Sequence, residues 1–365
     1  MKTKTFDFHR VFYNVVYQIN KNYKQMKKHV LSLVAATLCI LVMISCSKDN
    51  DEINSTNGIS IYVAGFESNT AKKEVAKYWK NGVATSLSDG NSDAEATSIF
   101  VSGNDVYVCG YEETNGMFAQ ATVCWKNGKA TYLTDGSKES NANSIFVSGN
   151  DIYVAGYEKN SDNIYVAMYW KNGKAVNLSD GTTNAEAHSI YVVGNDIYVS
   201  GCVNTNENYG YIKYWKNGVP VNLYEEQGSY VYNYKTSIFV SGNDVYVASD
   251  IGKYWKNGIV VDLSNCAGIG SIFVYKNDVY VSGCNQYTGE GNAKMEYWKN
   301  SVETVLSPFR NYTEPGSICI YNDTVYVAGS QNDLARYWKN NEEEVIVGNT
   351  NSGVYSGANS IFVCK

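Results

Sequence analysis

Beyond residue 59 the apolar residues fall into short runs, with Ser-Ile-Phe-Val and Asp-Val-Tyr-Val the commonest, separated by clusters rich in Gly, Asn and Asp. Runs of this length, made of aromatic and β-branched residues and bounded by turn formers, predict β-strands. Within the two commonest runs successive residues are apolar, so both faces of these strands must be buried.

The runs recur. All seven Trp lie in one motif: Tyr78-Trp79-Lys80-Asn81-Gly82, Cys124-Trp125-Lys126-Asn127-Gly128, Tyr169-Trp170-Lys171-Asn172-Gly173, then Tyr214-Trp215, Tyr254-Trp255, Tyr297-Trp298 and Tyr337-Trp338, each followed by Lys-Asn. A second motif, Ser-Ile-Phe-Val-Ser-Gly-Asn-Asp-Val-Tyr-Val, starts at Ser98, Ser144, Ser189, Ser237, Ser271 and Ser317. Its first half stands alone at Ser360–Val363 and its second half alone at Ile61–Gly65. The chain therefore holds seven units, each read as four strands: A (Ser-Ile-Phe-Val), B (Asp-Val-Tyr-Val-Ala-Gly-Tyr), C (ending at Tyr-Trp) and D (as Ala175–Leu178). Asn-Gly between C and D supplies the positive φ angles of a type I′ hairpin.

Four strands per unit, with Trp spacings of 40 to 46 residues, is the arithmetic of a β-propeller. The split unit predicts closure, with blade one assembled from residues 61–88 and 360–363, so that the terminal strands pair and no sheet edge is left at the junction. A linear solenoid would need atypical capping repeats, and neither end has one. The expected fold is an all-β, seven-bladed propeller of four-stranded antiparallel blades over residues 59–365. The pattern lacks the Trp-Asp of WD40 repeats and the paired Gly of kelch repeats.

Ahead of the repeats, Val30–Ile44 is a 15-residue apolar run preceded by Met26-Lys27-Lys28-His29. It is short for a bilayer span and has the basic front of a signal peptide. Met43-Ile44-Ser45-Cys46 resembles a lipobox, with Cys46 as the lipidated residue, although Met43 and Ile44 depart from the usual residues. Ser47-Lys48-Asp49-Asn50-Asp51-Glu52 resembles the acidic export signal of Bacteroidetes-type surface lipoproteins. As a whole the chain resembles bacterial surface lipoproteins built on propeller repeats, a likeness that brings no known activity with it. The expected division is 1–25 as an extension upstream of a start at Met26, 26–45 as signal peptide, 46–58 as flexible acidic tether, and the propeller thereafter. The resemblance implies an outer-membrane lipid anchor with the protein facing outward. A plain polar tether on a periplasm-facing lipoprotein is the alternative reading of the same segment. Entering at strand B of blade one, the tether would leave the face of the B–C and D–A loops turned away from the membrane.

Residues 1–45 carry seven of the 30 Lys/Arg and one of the 36 Asp/Glu, so the remainder has a formal charge of −12. Such a surface repels phosphate backbones and argues against nucleic-acid binding. The expected membrane contact is through the lipid alone, and the expected state is a monomer.

Function is expected on the face of the B–C and D–A loops, which vary between copies, whereas the A–B and C–D turns are tight and repetitive. The D–A connection from Leu223 to Ser237 carries Tyr224, Tyr230, Tyr232 and Tyr234 with Glu225 and Glu226. It reads either as a recognition patch or, from its alternation, as an extended strand packed on the next blade. A second candidate loop holds Phe309, Arg310, Tyr312 and Glu314. Glu95, Glu186, His188 and Glu314 fall near the expected channel mouth. A lone His makes neither a metal site nor a triad. The carboxylates of Asp89–Glu95 lack the Gly and Glu of a calcium loop, and no phosphate loop or nucleophile elbow appears, so no catalytic residue, metal or cofactor is assigned. Asp105, Asp151, Asp196, Asp244, Asp278 and Asp323 recur at one hairpin position, which argues for local hydrogen bonding. The seven Cys after Cys46 are odd in number and irregularly spaced, as for buried small residues outside a disulfide framework. Cys109 replaces the usual Ala and Cys124 the usual Tyr; they share a blade, and their offsets do not make them obviously opposite. These features predict a lipid-anchored binding or scaffolding module for a protein or glycan. The alternative is an extracytoplasmic, polysaccharide-acting enzyme with its site at the channel mouth.

Overall fold

The computed structural model describes residues 58–365, apart from 115–118, 205–208, 228–233, 286–291, 309 and 352. Every regular element among the described residues is a β-strand. Seven four-stranded antiparallel sheets follow one another along the chain, as a seven-bladed propeller. Blade two is typical, with strands A (Ala94–Ser102), B (Asp105–Glu113), C (Gln120–Lys126) and D (Lys129–Tyr132). The A strands touch one another in sequence around the axis, and the strand at Ser356–Cys364 touches that of blade two to complete the circuit. Closure is as expected: Ser356–Cys364 lies antiparallel beside Ser60–Ser68, with Ile361 opposite Val63 and Ser360 opposite Ala64.

Sheets this small are held by burial on both faces. Each Trp stands opposite the Val that follows Tyr in strand B, as Val108–Trp125 and Val327–Trp338 do, and all seven Trp are at most 2 % exposed. Apolar clusters fill the spaces between successive blades. The D strands form the outer rim and leave Val83, Val219, Ile259 and Val302 exposed.

The turns follow their residue chemistry. The seven Asn of the C–D turns all have φ close to +50°, the conformation that Asn tolerates and a type I′ turn requires. Each Asn side chain also caps the start of strand B. Asn127 Oδ1 accepts the Val106 N–H (2.8 Å) and its amide donates to Asp105 (2.7 Å), which pairs with Lys126 (2.7 Å). Asp151, Asp196, Asp244 and Asp278 repeat this arrangement. Asp323 does not: it sits inside its turn at φ +63° and pairs with Lys276 of the preceding blade. Thr324 occupies the Asp position there, because Tyr-Asn-Asp-Thr is displaced by one residue from Ser-Gly-Asn-Asp.

An inter-blade hydrogen-bond circuit explains the Ser that opens every strand A. Ser98 Oγ accepts the Ile145 N–H of the next blade (3.2 Å), and Ser144, Ser189, Ser237, Ser271 and Ser317 continue the series. Ser360 then accepts the Ile99 N–H (3.3 Å). Strand A has no strand partner on its axial side, so these N–H groups would otherwise be buried without acceptors. Below the serines, Phe100, Phe146, Tyr191, Phe239 and Phe273 pack in succession with their rings tilted 47–53° to one another and centroids 4.7–5.1 Å apart, and Phe362 joins Phe100. Cys319 occupies the remaining place in this girdle.

Candidate functional site

Immediately before each of these serines the repeat stops repeating. The residue there is Thr97, Asn143, His188, Thr236, Gly270, Gly316 or Asn359, and the structure gives a local reason. In six blades strand A carries a β-bulge against strand B at this point, so one or two residues lack a ladder partner and turn toward the axis. The bulge pushes a carbonyl of strand A against the Gly of strand B. An ideal Cβ on Gly110 would lie 1.8 Å from Glu95 O, and one on Gly156 1.9 Å from Asn141 O. Only Gly permits that approach. Blade five confirms the dependence: Ser249 replaces the Gly, and Thr236–Ser241 pairs with strand B without a bulge.

Of the bulged residues, Thr97, Asn143, His188, Gly270 and Asn359 line a pocket of about 300 Å³ at the axis, together with Glu95, Asn141, Lys235, Thr236 and Pro315. Its wall is held from blade to blade. Asn359 Nδ2 donates to Ala96 O (3.0 Å), the Thr97 hydroxyl to Ala142 O (2.5 Å) and Asn143 Nδ2 to Ala187 O (2.9 Å). His188 Nδ1 lies 3.3 Å from Thr236 Oγ1 and Nε2 3.3 Å from Glu186 Oε2, while Thr236 donates to Ser200 (2.9 Å). Side-chain donors are thus spent on backbone carbonyls, which fixes each amide. Asn141 Oδ1 is buried with no hydrogen-bond partner.

Glu95 is the carboxyl that lines the pocket. It receives Asn359 Nδ2 at 2.7 Å and the Tyr111 hydroxyl at 3.2 Å, yet its burial holds it above the ordinary carboxylate range. Across the pocket, burial likewise raises Asp250, which accepts the Ile269 and Lys235 N–H groups at 2.6 and 3.0 Å. Gly270 brings bare backbone to the pocket, and the blades meet there so closely that a Cβ on Gly270 would lie 1.7 Å from Gly316 O. The result is a one-sided pocket, with polar groups on blades one to five and only Gly270 and Pro315 on blades six and seven.

Of the residues expected at the channel mouth, Glu95 and His188 line the pocket. Glu186 lies behind His188, and Glu314 is exposed beside Pro315. The tyrosine loop is divided. Tyr230 and Tyr232 lie outside the described residues, as do Phe309 and Cys46. Tyr224 and Tyr234 are half-buried in the cluster between blades four and five, Tyr224 against Trp255 and Tyr234 with its hydroxyl 3.4 Å from Glu226. Strand D of blade four runs on to Gln227, which is what places Tyr224 there. Arg310 is tied to Glu344, which also binds Arg336, while Tyr312 is 68 % exposed at φ +50°. The pocket residues Asn141, Asn143, Lys235 and Asn359 were not singled out from sequence, because Asn and Lys near a strand end read as turn chemistry. The available signal was the break in the repeat just before each Ser.

No family model and no curated protein sequence matches the chain. Among solved structures it is similar to a puromycin-hydrolyzing peptidase of Mycobacterium tuberculosis, with 10 % identity and a TM-score of 0.49 over 78 % of this chain. The match spans about half of that protein, 53 % of its length.

Proposed function

We propose that this chain is a lipid-anchored, extracytoplasmic binding module whose ligand, a glycan or protein, docks on the face of the B–C and D–A loops. A polar group of the ligand would enter the axial pocket. One observation carries the reading. Over seven copies the chain keeps the residues that build the scaffold, and abandons its pattern at the positions that face the pocket. A scaffold alone gives no reason for Thr, Asn, His and Gly to alternate where the next residue is always Ser. The pocket suits an uncharged or weakly polar group such as a sugar hydroxyl or an amide, since Asn, Thr and His side chains line it.

The test is a binding screen, with a glycan array and a pull-down from the native envelope, using the chain and an Asn143→Ala/Asn359→Ala variant. A captured ligand should lose about tenfold or more in affinity to the variant, from two hydrogen-bonding groups. A ligand bound equally by both proteins would place recognition elsewhere and refute the pocket. Anchoring is tested separately. Cys46→Ser should abolish incorporation of labelled fatty acid, and protease added to intact cells should cut the B–C loops if the module faces outward.

A further inference from the structure

Blade two departs from the other six at one facing pair of strands B and C. Elsewhere a small residue on B stands opposite a Tyr on C, as in Ala155–Tyr169 and Ala328–Tyr337. In blade two both positions have changed together, and Cys109 stands directly opposite Cys124. Their offsets in the sequence do not make this facing obvious. The register of a strand pair, set here by the tight turn and the Gly–bulge contact, is not visible in residue spacing.

The hydrogen-bonding phase of this ladder decides what the pair can do. Asn127 N–H donates to Val106 O and Thr114 N–H to Ala119 O, so pairs at even positions of strand B are the hydrogen-bonded ones, and Cys109–Cys124 is non-hydrogen-bonded. Facing residues in such pairs have Cα atoms about 4.5 Å apart, inside the range of roughly 4.4–6.8 Å that a disulfide spans. Both side chains enter the same cluster, with Ala142, Val154 and Trp170. Both are free thiols here, at 0 % and 6 % exposure.

The second substitution also opens a route. Where a Tyr fills the space in other blades, Cys124 leaves a cavity of about 310 Å³ lined by Leu133, Ile152, Val154 and Trp170. Exposed Lys126, Thr131 and Gly173 form its rim. Cys124 can thus be approached from outside, while Cys109 lies behind it.

We propose that Cys109 and Cys124 form a redox-convertible pair that closes a cross-strand disulfide by exchange with an external disulfide, either of a small thiol or of a thiol oxidoreductase. The Cys124 thiolate attacks one sulfur of the external disulfide, and a first thiolate leaves. The Cys109 thiolate then attacks Cys124 Sγ in the mixed disulfide, and the second thiolate leaves. Two protein thiols are oxidised, one external disulfide is reduced to two thiols, and the two protons pass to the departing thiolates. Burial pushes the Cys124 thiol up to about 11 and Cys109 higher still, so the exchange speeds up as pH rises.

The experiment treats the full chain with oxidised glutathione, blocks the remaining thiols, and digests without reduction using a glutamate-specific protease, which cuts at Glu112 and Glu113 between the two cysteines. The expected product is a linked pair of peptides carrying Cys109 and Cys124, about 2 Da lighter than their sum. Cys109→Ala, which restores the residue of most other blades, should instead accumulate a glutathione adduct on Cys124. Recovery of both cysteines as separately blocked peptides, or a bridge joining either to another cysteine, would overturn the proposal. So would a Cys109→Ala protein that takes up no glutathione at Cys124. Oxidised dithiothreitol and a purified oxidoreductase disulfide, run in parallel, distinguish the two sources of oxidant.

Discussion

Glu296 offers the most quantitative check on how this propeller is held. It lies on strand C of blade six, fully buried, with no hydrogen-bond donor to either carboxyl oxygen among the described residues. Burial raises its pKa from 4.5 to about 7, and the neighbouring Glu303 carboxyl adds to the effect. The folded state therefore favours the protonated form. The stability linked to this group is complete below pH 4.5, where both states bind the proton, and is lost as pH climbs through about 7. A displacement of this size corresponds at most to roughly 3 kcal/mol, and relaxation around the half-exposed Glu303 reduces it to between about 1 and 2.5 kcal/mol over the interval from pH 5 to 8.

Glu296→Gln keeps the shape and removes the ionisation. Wild type and variant should melt close together at pH 5, and the variant should melt higher at pH 8, by about 2–5 °C for a domain of this size. Burial of Glu95, Asp250 and Glu74 produces trends of the same sign, but these are common to both proteins and cancel in the difference. Thermal unfolding followed by tryptophan fluorescence is the direct assay, since all seven Trp are buried. A difference in melting temperature that stays constant from pH 5 to 8 would show that Glu296 is not held protonated, and the argument from its burial would fail.

Gly110→Ala should cost about 3–5 kcal/mol, because backbone lies on the far side of the 1.8 Å contact, whereas Ser249→Gly in the unbulged blade should cost under about 1 kcal/mol. Urea titrations of the two variants would separate them. Ser360→Ala strands the buried Ile99 N–H and should lower stability by about 1–3 kcal/mol. Ser144→Ala should do the same, and a much larger loss at Ser360 would mean that the closing junction is not equivalent to the others. Cys124→Tyr should fill the cavity between blades two and three and raise stability by about 0.5–2 kcal/mol in thermal melts; a loss would show that blade two has repacked around its smaller residue.

The propeller was legible because the repeat states its own period. Seven Trp in one motif and a split unit at the two ends leave few other ways to bury strands that are apolar on both faces. What resisted reading was register. The displacement at Asp323 and the facing of Cys109 with Cys124 both turn on a single residue of alignment between strands, and side-chain spacing along one strand does not carry it. The pocket was partly legible. Glu95 and His188 stood out as charged or titratable groups near strand A, whereas Asn143 and Asn359 did not, since the bulge that turns them inward is specified by a Gly on a different strand.

That division of labour explains how one repeat can be both rigid and variable. The Ser beside each bulge satisfies the next blade's N–H, the Gly opposite makes room for the displaced carbonyl, and neither group depends on which side chain occupies the bulge itself. The amide of Asn143 and the hydroxyl of Thr97 bind the same kind of carbonyl in the next blade, and Gly270 forgoes the contact without breaking the circuit of serines. Blade five reaches the same end by another route. Lacking the Gly, it pairs straight, and the Asp250 carboxylate takes over by binding the Lys235 and Ile269 N–H groups, leaving Lys235 on the pocket wall. Because the scaffold's hydrogen bonds close without them, the axial side chains can change at little cost in stability. A ring built this way can alter the lining of its axial pocket through substitutions at those positions while its seven interfaces stay as they are.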